Sequence, residues 1–177
     1  HIPWLEAAQT LGCHAIRVNA HTDKSESYGT QLDRCADGLR RLCEIGDDYG
    51  LHVIVEPHGG LSSNGAWLVA LMDLVGHPRV GMLPDFGNYG SKREGWEYDP
   101  YLGTAQSMPY AKGVSAKTHH FDANGEESTV DFRRLMQIVK DAGFTGTIDI
   151  EYEGKEIDPD TGIKLTRDLL VKLGGRL

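Results

Sequence analysis

The chain has 177 residues, 40% hydrophobic and 25% charged. That balance excludes intrinsic disorder and suffices for one domain, residues 1–177, with a buried core. The net charge of −8, without a basic cluster, argues against a nucleic-acid partner, since such binding rests on Lys and Arg neutralising phosphates. The longest apolar run, Trp67 to Val75, is interrupted by Asp73 and falls short of the roughly 18 residues of a membrane span.

Ile2, Leu5, Ala8 and Leu11 form one stripe, which predicts a helix over 2–11 stopped by Gly12. Residues 15–19 read as a short strand. Leu32, Cys35, Leu39, Leu42 and Cys43 predict a helix over 31–49 ended by Gly50. The β-branched run 52–56 is a second strand. Ser62 or Ser63 is placed as the cap of a helix carrying Trp67, Leu68, Leu71, Met72 and Val75. A segment 80–83 leads to Asp85. Residues 88–103 read as a long loop with at most one helical turn, and a short helix is placed near 104–110. Strands follow at 113–117 and 147–151. The helix between them carries Phe132, Leu135, Met136 and Val139 and is closed by Gly143. Asp158-Pro159 caps the last helix, with Ile163, Thr166, Leu169, Leu170 and Leu173 on its inner face.

About five βα units without a hairpin mean a parallel sheet with crossover helices. The first strand runs into Asn19-Ala20-His21-Thr22 rather than a glycine-rich phosphate loop, so an open nucleotide-binding sheet is disfavoured. A closed barrel needs eight strands and roughly 250 residues. The remaining α/β reading is a parallel (β/α) barrel of the TIM type, present as a partial barrel.

Alternation along strands gives the site. Arg17 and Asn19 share a face, as do Ile54 and Glu56, Leu83 and Asp85, Ser115 and Lys117, and Asp149 and Glu151. The opposite faces are mostly apolar. The inner set is Asn19, Glu56, His58, Asp85, Lys117, His119 and Glu151, turning polar toward the C-terminal strand ends, where barrel enzymes build active sites. Each residue also has a structural alternative: Asp85 as a helix cap, Glu151 as part of a solvated acidic end with Asp149 and Glu153, His119 as loop surface, Lys117 as a counter-ion. Three convergent carboxylates repel one another, and a divalent cation would neutralise them. Oxygen donors with one histidine suit Mn, Mg or Co better than structural zinc. The three cysteines, Cys13, Cys35 and Cys43, form no CxxC or disulfide framework. They are expected as reduced, helix-packed thiols in a cytoplasmic protein, with an export signal left open because the chain begins at His1.

The stretches 11–19, 54–63 (Ile54-Val55-Glu56-Pro57-His58-Gly59-Gly60), 83–88 (Leu83-Pro84-Asp85-Phe86-Gly87-Asn88), 114–117 and 148–154 resemble the xylose-isomerase-like TIM barrels, the sugar phosphate isomerase/epimerase family. The resemblance implies that the chain holds strands four to eight, that the first three βα units are missing, and that the natural product is longer at its N-terminus. It also implies one divalent metal, manganese first and Mg or Co as alternatives, with Glu56, Asp85 and Glu151 matching three ligands. The family's histidine position falls on Ser115, so His119, four residues later, is the candidate fourth ligand. Glu56 and Glu151 become the acid/base pair that moves a proton beside a keto-sugar carbonyl through an enediolate. Asn19, His58, Asn88 and Lys117 become candidates for binding substrate hydroxyls or an oxyanion. Lyase or dehydratase chemistry on a keto-sugar and a non-catalytic sugar-binding relic are the alternatives. The endonuclease branch is disfavoured by the acidic charge and the single inner histidine cluster. The expected partner is a small, unphosphorylated sugar, with neither nucleic acid nor membrane, and assembly as a homo-oligomer stays open.

Overall fold

The computed structural model describes residues 1–21, 23, 25–90 and 97–174. Helices and strands alternate in it: α1 (Ile2–Thr10), β1 (Ala15–Asn19), α2 (Tyr28–Tyr49), β2 (His52–Glu56), α3 (Gly65–Val75), β3 (Val80–Met82), α4 (Pro100–Ser107), β4 (Val114–Thr118), α5 (Phe132–Asp141), β5 (Ile148–Tyr152) and α6 (Pro159–Lys172). All pairings between these strands are parallel. β1 joins β2 from Ala15↔His52 to Asn19↔Glu56, β2 joins β3, and β4 joins β5 from Val114↔Ile148 to Thr118↔Tyr152. Between β3 and β4 there are only single bridges, Met82↔Ala111 and Asp85↔Ser115. Ser115 N–H donates to the Pro84 carbonyl at 2.8 Å, and Phe86 N–H to the Ser115 carbonyl at 3.0 Å. The five strands thus lie in chain order as a partial TIM-type barrel, and β1 and β5 pair on one side only among the described residues.

The outward strand faces bury apolar side chains under the helices. Val53, Val55 and Met82 pack with Leu39, Cys43, Leu68 and Leu71 of α2 and α3. Val114 and Ala116 pack with Leu135, Met136 and Leu169 of α5 and α6. Burial of such side chains contributes about 1.5–3 kcal/mol each, and it fixes the strand phase, since a one-residue slip would swap the faces. Beyond β5 the covering thins: Ile150 is 37% exposed and lines a groove of about 690 Å³ with Phe144, Arg167 and Val171. This groove lies on the helical side of the sheet, away from the carboxylates.

Several boundaries differ from the sequence reading for local reasons. α2 begins at Tyr28, because the Ser27 side chain accepts from Thr30 N–H and caps it. α3 is capped by Asn64, whose Oδ1 accepts from Trp67 N–H at 3.0 Å; neither Ser62 nor Ser63 is the cap. Those serines instead close the turn after β2. Ser62 Oγ accepts from His58 N–H, and Ser63 Oγ accepts from Gly59 N–H at 2.7 Å. The turn needs positive φ at both Gly59 (84°) and Gly60 (55°), which glycine adopts without a Cβ penalty. α4 starts at Pro100, capped by Asp99, so part of the predicted 88–103 loop is helical; residues 91–96 of that loop lie outside the described residues. Cys43 is buried and Cys35 half-buried on α2, whereas Cys13 is exposed in the turn after α1 rather than packed on a helix.

The cap of α3 is testable by chemical denaturation. Asn64→Ala is expected to lower stability by about 1 kcal/mol, while Ser62→Ala, which leaves that cap intact, should chiefly loosen the turn over residues 57–63.

Candidate metal centre

Glu56 ends β2, Asp85 follows β3, and Ser115, Lys117 and Glu151 stand on the inner phase of β4 and β5. Parallel register places their side chains at one end of the arc. Ser115 pairs with Asp149, Lys117 with Glu151, and Asp85 bridges to Ser115. One ligand atom from each of Glu56, Asp85 and Glu151 lies within 4.8 Å of the others.

Asp85 is fully buried. Its Oδ1 accepts from Gly87 N–H at 2.9 Å, but Oδ2 has no hydrogen-bond partner, and the Lys117 ammonium is 4.0 Å away. Burial pushes the carboxyl up to about 7, against the attraction of Lys117. Leaving such an oxygen unpaired inside a protein costs on the order of 1–3 kcal/mol.

Glu56 is 3% exposed. The Arg17 guanidinium pairs with its Oε2, and Asn88 Nδ2 donates to Oε1 at 3.0 Å. Asn88 also bridges to the other flank, where its Oδ1 accepts from Lys117 Nζ at 3.3 Å. The buried Lys117 ammonium contacts Glu151 at 3.0 Å and Glu153 at 3.3 Å. Burial opposes its charge, yet the carboxylates of Asp85, Glu151 and Glu153 hold its pKa above the usual lysine range. Partial burial likewise opposes ionisation of Glu151, but Lys117 and the Ser115 hydroxyl keep its carboxyl below the usual range. Ser115 Oγ donates to Glu151 Oε2 at 3.0 Å. Gly87 makes room for this lattice, since a Cβ there would sit 3.0 Å from Lys117 Cδ and from His119 Cε1.

The other sequence candidates sit at the margin. Asn19 is exposed at the end of β1, opposite Glu56 in register. His58 is exposed, and its backbone N–H serves the Ser62 turn. The His119 ring rests against Gly87, with Nε2 3.8 Å from Glu153, and is not grouped with the three carboxylates; burial pushes its pKa down. Sequence reasoning missed the roles of three residues. Parity places Arg17 on the inner face of β1 beside Asn19, but its pairing with Glu56 comes only from the structure. Glu153 lies two residues beyond Glu151, on the same side as the Lys117 ammonium. Glu127 has no sequence signal: its carboxylate accepts from the backbone N–H groups of His120, Thr129 and Val130 and fixes the loop after β4.

Comparison with known proteins agrees with this architecture. The family model for the xylose isomerase-like TIM barrel matches residues 2–173. No curated protein matches the sequence. The IOLI protein with a bound zinc atom superposes with a TM-score of 0.76 at 15% identity, over 97% of this chain and 66% of that one. A D-tagatose 3-epimerase-like protein gives 0.74 at 18% identity, over 96% and 65%. A xylose isomerase-like barrel protein from Mycobacterium smegmatis in complex with magnesium gives 0.70 at 17% identity, over 96% and 64%. The chain therefore spans just under two thirds of the length of these structures. At such identities they share its fold, and with the family match across nearly its whole length, the chain belongs to the xylose isomerase-like TIM barrel family.

Proposed function

We propose that this pocket performs divalent-metal-dependent isomerase or epimerase chemistry, moving a proton on the carbon beside the carbonyl of a keto-sugar through an enediolate. The observation that carries this reading is the convergence of Glu56, Asp85 and Glu151 within 4.8 Å, with Asp85 buried and one of its oxygens unpartnered. The charge balance points the same way. Four carboxylates, counting Glu153, face the two fixed cations Arg17 and Lys117. One dication cancels that deficit, and three carboxylate oxygens suit manganese or magnesium.

Glu56, Asp85 and Glu151 would hold the ion, which when bound polarises the carbonyl and adjacent hydroxyl oxygens of the substrate. Asp85, with one oxygen held by Gly87 N–H and the other unpartnered, would serve as the anchor of the ion. Glu151, ionised and 37% exposed on its side chain, is the base that meets the carbon-bound proton. Glu56, oriented by Arg17 and Asn88, is its counterpart on the other flank. Two carboxylates on opposite flanks permit removal from one face and return to the other, inverting the stereocentre. Lys117 and Asn88 supply hydrogen-bond donors for charge developing on the substrate oxygens; Asn19 and His58 stand at the rim for outer hydroxyls. The substrate class of the D-tagatose 3-epimerase-like neighbour is consistent with this chemistry.

Two measurements test this reading on the full-length protein. In heavy water, Glu151→Gln is expected to slow exchange of the substrate α-proton at least about 100-fold, and a chelator should abolish exchange until manganese or magnesium is returned. Unchanged exchange in the variant, or full activity in excess chelator, overturns the mechanism. Asp85→Asn removes a buried, half-satisfied carboxylate, so it should stabilise the metal-free protein by roughly 1–3 kcal/mol in denaturant titrations while eliminating the stabilisation that metal confers on the wild type.

A further inference from the structure

The side chains around the pocket also bear on which ion it selects, an inference that rests on the metal-dependent reading above. Apart from the three carboxylates, two neutral side chains border them: the Asn88 amide, on Glu56, and the Ser115 hydroxyl, on Glu151. Ser115 is 3% exposed, bridges to Asp85 across the joint of the sheet, and lies 3.0 Å from Glu151 Oε2. It therefore borders two of the three ligands at once. The unpartnered Oδ2 of the fully buried Asp85 marks the space they share.

No nitrogen or sulfur donor accompanies them among the described residues. Lys117 and Arg17 are cations engaged by carboxylates. His119 lies over Gly87 with Nε2 toward Glu153. Cys35 and Cys43 belong to α2, and Cys13 to the turn after α1.

Donor chemistry then decides. Imidazole and thiolate donors steepen the preference of a site for zinc or cobalt, whereas carboxylate, hydroxyl and water oxygens suit hard ions. We infer that position 115 sets the ion selectivity of an all-oxygen pocket: with serine there, and neither nitrogen nor sulfur among the donors, the pocket takes a hard divalent cation, magnesium or manganese, and discriminates only weakly in favour of zinc. The hydroxyl keeps Glu151 oriented by donating to it, and leaves the position beside Asp85 to oxygen rather than nitrogen.

The test is calorimetric titration of the chelator-stripped, full-length protein with magnesium, manganese and zinc chlorides, compared with Ser115→Cys, Ser115→Ala and His119→Ala. Ser115→Cys offers a soft donor at nearly unchanged volume. In the wild type the zinc and manganese affinities should lie within about tenfold of each other, and Ser115→Cys should widen that ratio toward zinc by at least about 100-fold. Ser115→Ala and His119→Ala should leave the ratio within about threefold of wild type. A wild-type preference for zinc above about 100-fold that His119→Ala removes would make the imidazole a ligand and overturn the inference, as would a ratio that Ser115→Cys does not move. If Ser115→Cys fails to fold by circular dichroism, the wild-type ratio and the His119→Ala comparison decide the matter alone. Absence of saturable binding of all three ions removes the metal-dependent function and this inference together, whereas a steep zinc preference removes only the inference.

Discussion

Everything at the pocket follows from electrostatic crowding. Four carboxylates converge at the strand ends against two fixed cations, and one of them, Asp85, is fully buried with an unpaired oxygen. Such an arrangement lowers stability in the metal-free protein, because desolvation of Asp85 outweighs its attraction to Lys117. A protein retains it where function repays the strain. Arg17 and Lys117 limit the repulsion without abolishing it. They hold Glu56 and Glu151 in place, while Asn88 ties the two flanks together by donating to Glu56 and accepting from Lys117.

The fold concentrates this charge through strand phase. Val53 and Val55 on β2, and Val114 and Ala116 on β4, are locked outward by helix packing. With those faces fixed, Glu56, Ser115 and Lys117 have only the inner face left. That part was legible in the sequence, since period-two alternation and β-branched runs give both the strand limits and the side each residue occupies. β1 and β2 fall on the residues the alternation marks, and β4 and β5 are each displaced by one residue from it.

Contacts between distant segments were less legible. Ser62 and Ser63 are good helix caps by type, yet two consecutive glycines with positive φ turn the chain so that both hydroxyls close the loop instead, and the cap passes to Asn64. Composition places a serine near a helix start without saying which N–H it will reach. Arg17 and Glu56 are 39 residues apart and meet only because β1 and β2 pair in register. Glu127 reveals its role only once its loop has folded around the carboxylate.

The position of Asp85 ties the chemistry to the weakest joint of the sheet. β3 has three residues, and its link to β4 runs through isolated bridges rather than a ladder. One of those bridges is Asp85↔Ser115 itself, so the backbone that aligns the two halves of the arc is the backbone that presents two groups of the pocket. Glu56 belongs to the three-stranded half and Glu151 to the two-stranded half. An ion held by both, with Asp85 between them, would cross-link the halves where hydrogen bonding is sparsest. Ligation and sheet continuity are then one constraint: any shift of the 82–86 segment that breaks the Ser115 bridge also withdraws Asp85 from Glu56 and Glu151. Gly87 sits at the end of that segment, with the Lys117 stem and the His119 ring pressed against it. A side chain there would displace the segment and the counter-ion together, which is why the smallest residue stands beside the most buried charge.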